Sequence, residues 1–165
     1  MSADGEFITV GAVRFERLLP APVSRVWDHL TKTELLPGWF GTGVIEERQG
    51  GTVRLMDGHI RGIVTQCRPP HLLVYTWNVF DPGQEMSDYP ESYLTLSLEE
   101  RAADVALSLL HFPIPEPFRK QTAMGWHTFL DMIGAAVRGE EIRPRAEYVA
   151  ENAKRYGVDL DNLAR

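Results

Sequence analysis

Hydrophobic and polar residues first alternate and then recur every three or four positions, and these changes of period divide the chain into elements. Phe7 to Leu19 reads as a strand, with Val13 and Phe15 alternating against Arg14 and Glu16. Pro20 and Pro22 end it, and Pro22 suits the first turn of a helix, where its missing N–H costs nothing. In that helix Val23, Val26, Trp27 and Leu30 share one face. A second short helical turn is predicted over Thr33 to Trp39, closed by Gly41 and Gly43.

From Val44 to Phe112 the pattern is that of antiparallel strands separated by turn signals. Gly50-Gly51 and Asp57-Gly58 are hairpin pairs, Pro69-Pro70 divides two strands, and Asp81 through Pro90 is a longer polar connection. Leu94, Leu96 and Leu98 alternate, as do Val105, Leu107 and Leu109, so these two segments should pair with one face buried. A long helix follows over Pro117 to Arg138, carrying Phe118, Thr122, Trp126, Phe129, Ile133 and Val137 as one stripe, with Gly139 as terminator. The tail has its own helical pattern, with Pro144 near the start, Ala146, Val149, Ala150, Ala153 and Tyr156 on one side, and Gly157 as the stop. Its apolar face is too small to hold a helix alone in water, so it should dock on its own domain or across a homodimer.

This order is α+β: strand, two short helices, antiparallel strands and a long final helix. Three groups of residues within it resemble a known family. The first is Leu19-Pro20-Ala21-Pro22-Val23-Ser24-Arg25-Val26-Trp27, followed by Leu30-Thr31 and Trp39-Phe40. The second is Arg61-Gly62, then Pro69-Pro70 and Leu73-Val74-Tyr75-Thr76-Trp77; the third is Gly125-Trp126 with Leu130. Together they resemble the C-terminal domain of the activator of heat-shock-protein-90 ATPase, a member of the START-like (Bet v-like) helix-grip superfamily. That superfamily also contains lipid carriers, polyketide cyclases and plant hormone-binding proteins. The resemblance implies a curved antiparallel sheet wrapped on a long C-terminal helix, one such domain over residues 1–140, and a helical extension over residues 141–165. It also implies that Trp27 anchors the first helix to the sheet and that Gly125 lets the long helix approach closely.

Charge narrows the partners. A formal net charge of −6 argues against a phosphate backbone, and no basic amphipathic stretch suits an anionic membrane surface. The single cysteine, Cys67, excludes an internal disulfide. No apolar run reaches transmembrane length and the start, Met1 to Phe7, is polar, so the expected location is cytoplasmic. The histidines His29, His59, His71, His111 and His127 show no metal-ligand spacing, so neither a metal nor a cofactor is expected. Asp57 and His59 flank a glycine and could pair, although a turn with polar tips has the same sequence. Glu46-Glu47 face opposite ways on a strand, and Ser24 and Ser108 lack a nucleophile elbow.

The aromatic residues carry more. Tyr75 and Trp77 share a strand face, Trp126 and Phe129 lie on the helix that should cross it, and His111 continues the inward parity of Val105, Leu107 and Leu109. These five either form close-packed core or line a cavity for a ligand. The expected function is non-catalytic binding of a small, mostly apolar molecule between sheet and helix. One rival is a polyketide-cyclase-like enzyme using His111 or Tyr75 as an acid–base group; the other is a co-chaperone-like interaction module.

Overall fold

A computed structural model describes residues 3–165. Seven strands run β1 (Gly11–Leu19), β2 (Gly43–Ile45), β3 (Thr52–Leu55), β4 (Ile60–Arg68), β5 (Leu72–Val79), β6 (Ser92–Arg101) and β7 (Asp104–Ile114). They form one antiparallel sheet in the order β1-β7-β6-β5-β4-β3-β2. Helix α1 (Val23–Thr31) follows β1, and α2 (Arg119–Arg138) and α3 (Arg145–Tyr156) close the chain. The hairpin register sets Leu96 opposite Leu109 and Leu98 opposite Leu107, so both leucine rows face the same side. On that side α2 buries Trp126, Leu130, Ile133 and Val137, and α1 buries Val26, Trp27 and Leu30, in one continuous core. This is the helix-grip arrangement. No described helix is long and apolar enough to cross a membrane.

Several expectations are corrected. The first strand begins at Gly11 rather than Phe7, and Phe7, Ile8 and Val10 are exposed. The reason is the partner: Gly11 pairs with Ile114, where β7 ends and Pro115 leads into a 3-10 turn, so no ladder remains for residues 3–10. The second short helix contracts to the 3-10 turn Leu36–Gly38, and α2 starts at Arg119 because Glu116–Phe118 form a 3-10 turn of their own. Gly125 does not bring α2 onto the sheet, since a Cβ there would meet nothing within 4 Å. A close approach does require glycine at Gly62, where a Cβ would collide with the Thr76 carbonyl oxygen of β5.

Trp27 does anchor α1: it is buried, and its Nε1–H donates to Glu47 Oε1 at 2.7 Å, while Lys32 Nζ holds Glu47 Oε2 at 2.7 Å. Helix α3 packs on α2 of its own chain by only part of the predicted face, through Ala153 and Tyr156. It buries Tyr148, Asn152 and Ala153 and leaves Ala146 and Ala150 exposed. Polar partners choose this face. Asn152 Nδ2 donates to Thr128 Oγ1 at 3.2 Å and Asp131 Oδ2 at 3.3 Å, and the Tyr156 hydroxyl meets His127 Nδ1 at 2.7 Å. Removing residues 141–165 would expose this face of α2 and leave Thr128 without its partner. Truncation after Glu140 should cost ~3 kcal/mol and lower the melting temperature by ~6–12 °C. An unchanged melting temperature would show that the tail adds no stability.

Candidate functional site

The inward parity of β7 carries His111 into the core, opposite Leu94 of β6, and Ser92 opens β6 opposite Trp77 of β5. Trp126 descends from α2 onto these strands. Its Nε1–H donates to His111 Nδ1 at 2.9 Å, and His111 Nε2 lies 2.7 Å from Ser92 Oγ. Ser92 Oγ in turn donates to the Trp77 carbonyl at 3.2 Å. An indole N–H only donates and a carbonyl only accepts, so every proton in the chain is assigned. Nδ1 of His111 is the acceptor, Nε2 carries the proton, and Ser92 accepts from it and donates onward.

This buried relay governs the chemistry. Burial pushes the His111 imidazole down to about 4, and its acceptor role with Trp126 requires the neutral ring. A serine next to a histidine resembles the start of a nucleophilic triad, but the polarity is reversed. A triad histidine takes the serine proton on Nε2 and has a carboxylate on Nδ1. Here Nε2 already bears the proton and Nδ1 faces a donor, so His111 does not activate Ser92.

All five aromatic positions come together. Trp77 lies 5.2 Å from His111 and 5.3 Å from Trp126, with Tyr75 6.4 Å from Trp77 and Phe129 5.8 Å from Trp126 between ring centroids. Phe40 completes the set, 4.5 Å from Phe129. It was not singled out in the sequence as a site neighbour, and only the fold of its turn beneath α2 brings it there. Tyr75 is buried, and desolvation raises its phenol well above the usual range, which removes it as an acid–base group near neutral pH. Between Tyr75, Phe40, Trp126 and Phe129 the space under α2 is occupied by rings.

Open space begins beyond them. A cavity of about 280 Å³ lies where the ends of β5, β6 and β7 meet the start of α2, and it opens to solvent beneath the Asp81–Pro90 connection. Trp77, His111 and Ser92 contribute to its inner wall, Val79, Ile114, Phe118 and Thr122 line its sides, and His59, Asp81 and Tyr89 are also on its lining. Of the five aromatic positions, Trp77 and His111 line it; Tyr75, Trp126 and Phe129 back it. Ser92 was missed because nothing in a strand-initial serine announces a partner on β7.

Other candidates resolve locally. His59 Nδ1 donates to the Phe80 carbonyl at 2.8 Å and Asp57 accepts from Thr42 Oγ1 at 3.3 Å, so these two do not pair. Burial raises the Cys67 thiol, and no group of three or more His, Cys, Asp or Glu among the described residues is placed to hold a metal.

The depressed His111 pKa makes a signed prediction. Its neutral form is favoured in the folded state, so its contribution is complete above the unfolded value of 6.5 and is lost as pH falls toward about 4. The loss should approach ~3 kcal/mol. Chemical denaturation at stepped pH should show this slope in the wild type and a shallower one in His111→Gln. Equal slopes would deny His111 its buried neutral role.

Comparison with known proteins follows the same lines. The profile described as Activator of Hsp90 ATPase homolog 1-like protein matches residues 20–138. CalU16 from Micromonospora echinospora is 25% identical, with 88% of this chain and 86% of that chain covered and a TM-score of 0.71. The BPP1335 protein of Bordetella parapertussis is 22% identical over 99% of this chain and 95% of that chain, TM-score 0.71. PFC0360w, an HSP90 activator from Plasmodium falciparum, is 20% identical over 79% and 97% respectively, TM-score 0.65. At those last two identities the likeness carries the fold alone. No curated protein matches the chain. A profile match over most of the chain, on the elements that fold into a sheet gripping a helix, shows that the chain belongs to the Activator of Hsp90 ATPase homolog 1-like family.

Proposed function

We propose that the protein binds a small, mostly apolar molecule in the cavity at the N-terminal end of α2, without chemical conversion. The cavity itself carries this reading. Its volume of about 280 Å³ stands near the lower end for small-molecule sites, ~300 Å³, and suits a guest of one or two rings. Trp77 offers a large aromatic surface at the inner wall, and the prolines Pro90, Pro113 and Pro115 stiffen the rim. Against a catalytic role stands the relay: His111 and Ser92 are both satisfied, and using either in proton transfer would leave Trp126 or Trp77 with a broken bond in the core.

A co-chaperone-like interaction module is the second reading, and family membership favours it. The two separate experimentally. A thermal-shift screen of apolar and aromatic compounds should give stabilising hits by mass action, accompanied by a change in tryptophan emission. Trp77→Ala, at a half-buried position, should cost ~2–3 kcal/mol and weaken those hits at least severalfold. A screen without hits, together with sedimentation of the ligand-free protein on purified Hsp90, would move the conclusion to the interaction module.

A further inference from the structure

We propose that the cavity's guest carries a protonated amine, or an equivalent cationic donor, on its polar end, with Asp81 as its anchor and His59 as a second acceptor. This rests on the cavity being a binding site, and it follows from which lining groups are still free to bond.

Three of the polar side chains on the wall, His111, Ser92 and Gln121, are already satisfied. Both nitrogens of His111 and both functions of the Ser92 hydroxyl are used within the relay. The Gln121 amide is used as well: Nε2 donates to the Ala164 carbonyl at 3.2 Å and Oε1 accepts from the Ala164 N–H at 2.8 Å. What remains is biased toward accepting. The Asp81 carboxylate has no hydrogen bond or ion pair among the described residues. His59 must carry its proton on Nδ1, because the Phe80 carbonyl beside it can only accept, and this leaves the Nε2 lone pair open. The Tyr89 and Thr122 hydroxyls and the Trp77 indole N–H are unpaired and neutral.

Charge has the same sign. The cavity is lined by one carboxylate and by no lysine or arginine. The cations of the first turn of α2, Arg119 and Lys120, line a different groove, shared with Arg14 and Arg155. An anionic guest would therefore meet Asp81 with nothing to offset it. A cationic one would gain a charge-assisted hydrogen bond while its rings lie against Trp77.

Isothermal titration calorimetry on the full chain with naphthylmethylamine, naphthylmethanol and naphthoate tests this. The amine should bind about fivefold tighter than the alcohol, with the carboxylate weakest, and the amine's advantage should shrink in high salt. In Asp81→Asn, checked for an unaltered melting temperature, the ratio of amine to alcohol affinity should fall toward one. Equal binding of amine and alcohol by the wild type, or tightest binding of naphthoate, overturns the amine proposal and leaves the cavity reading standing. If none of the three binds, the cavity reading falls and the amine proposal with it.

Discussion

The hydrogen bond from Trp126 on α2 to His111 on β7 is the constraint on which this site depends. It crosses the buried core between helix and sheet, where an unpaired indole N–H or imidazole nitrogen would cost more than the bond itself contributes. Sliding α2 along the sheet by one turn would break it. The bond thus selects one position of the helix among those that apolar packing alone would tolerate. Through the imidazole it also sets the proton on Nε2, orders Ser92, and ties β5 through the Trp77 carbonyl.

The other tryptophans extend the same principle. Trp27 reaches Glu47 beyond β2, and Trp39 Nε1 donates to the His29 carbonyl at the end of α1 at 2.6 Å. Arg145 at the start of α3 donates through Nη2 to the Phe40 carbonyl at 2.6 Å and lies over the Phe129 ring. Each of these bonds joins an element that hydrophobic burial has already brought close and then restricts its orientation. Trp77 is the exception, because its indole N–H has no partner among the described residues, and it is the tryptophan that lines the cavity. Rigidity sits behind the cavity wall and unused bonding capacity sits on it.

That division explains why the interior is partly filled and partly open. Along α2 from Trp126 to Val137 the buried side chains Trp126, Leu130, Ile133 and Val137 pack into the same core as the leucine rows and aromatic rings. Toward its start the inward positions are Phe118 and Thr122, which are only half-buried, while Pro113 and Pro115 stand at the end of β7 beneath. Packing lost there leaves the open space of the cavity.

Much of this was legible from residues alone. Period-two leucines placed β6 and β7 and the stripe from Trp126 to Val137 placed α2, because these signals come from burial on one face and need no distant partner; the resemblance of three motifs taken together pointed to the family. The same reasoning gathered Tyr75, Trp77, His111, Trp126 and Phe129 into one cluster. It could not divide them into wall and backing, since strand parity says that a side chain points inward but not whether a ring from elsewhere, here Phe40, fills the space in front of it. It placed Ala153 and Tyr156 on the docking face of α3, but it also placed the exposed Ala146 and Ala150 there and left out Asn152, whose polar partners on α2 no hydrophobic period records. The sequence by itself determined the elements, their order and the composition of the core. Tertiary structure decided where the core stops being full, and which donors and acceptors were left unpaired, because both depend on side chains meeting across elements far apart in the chain.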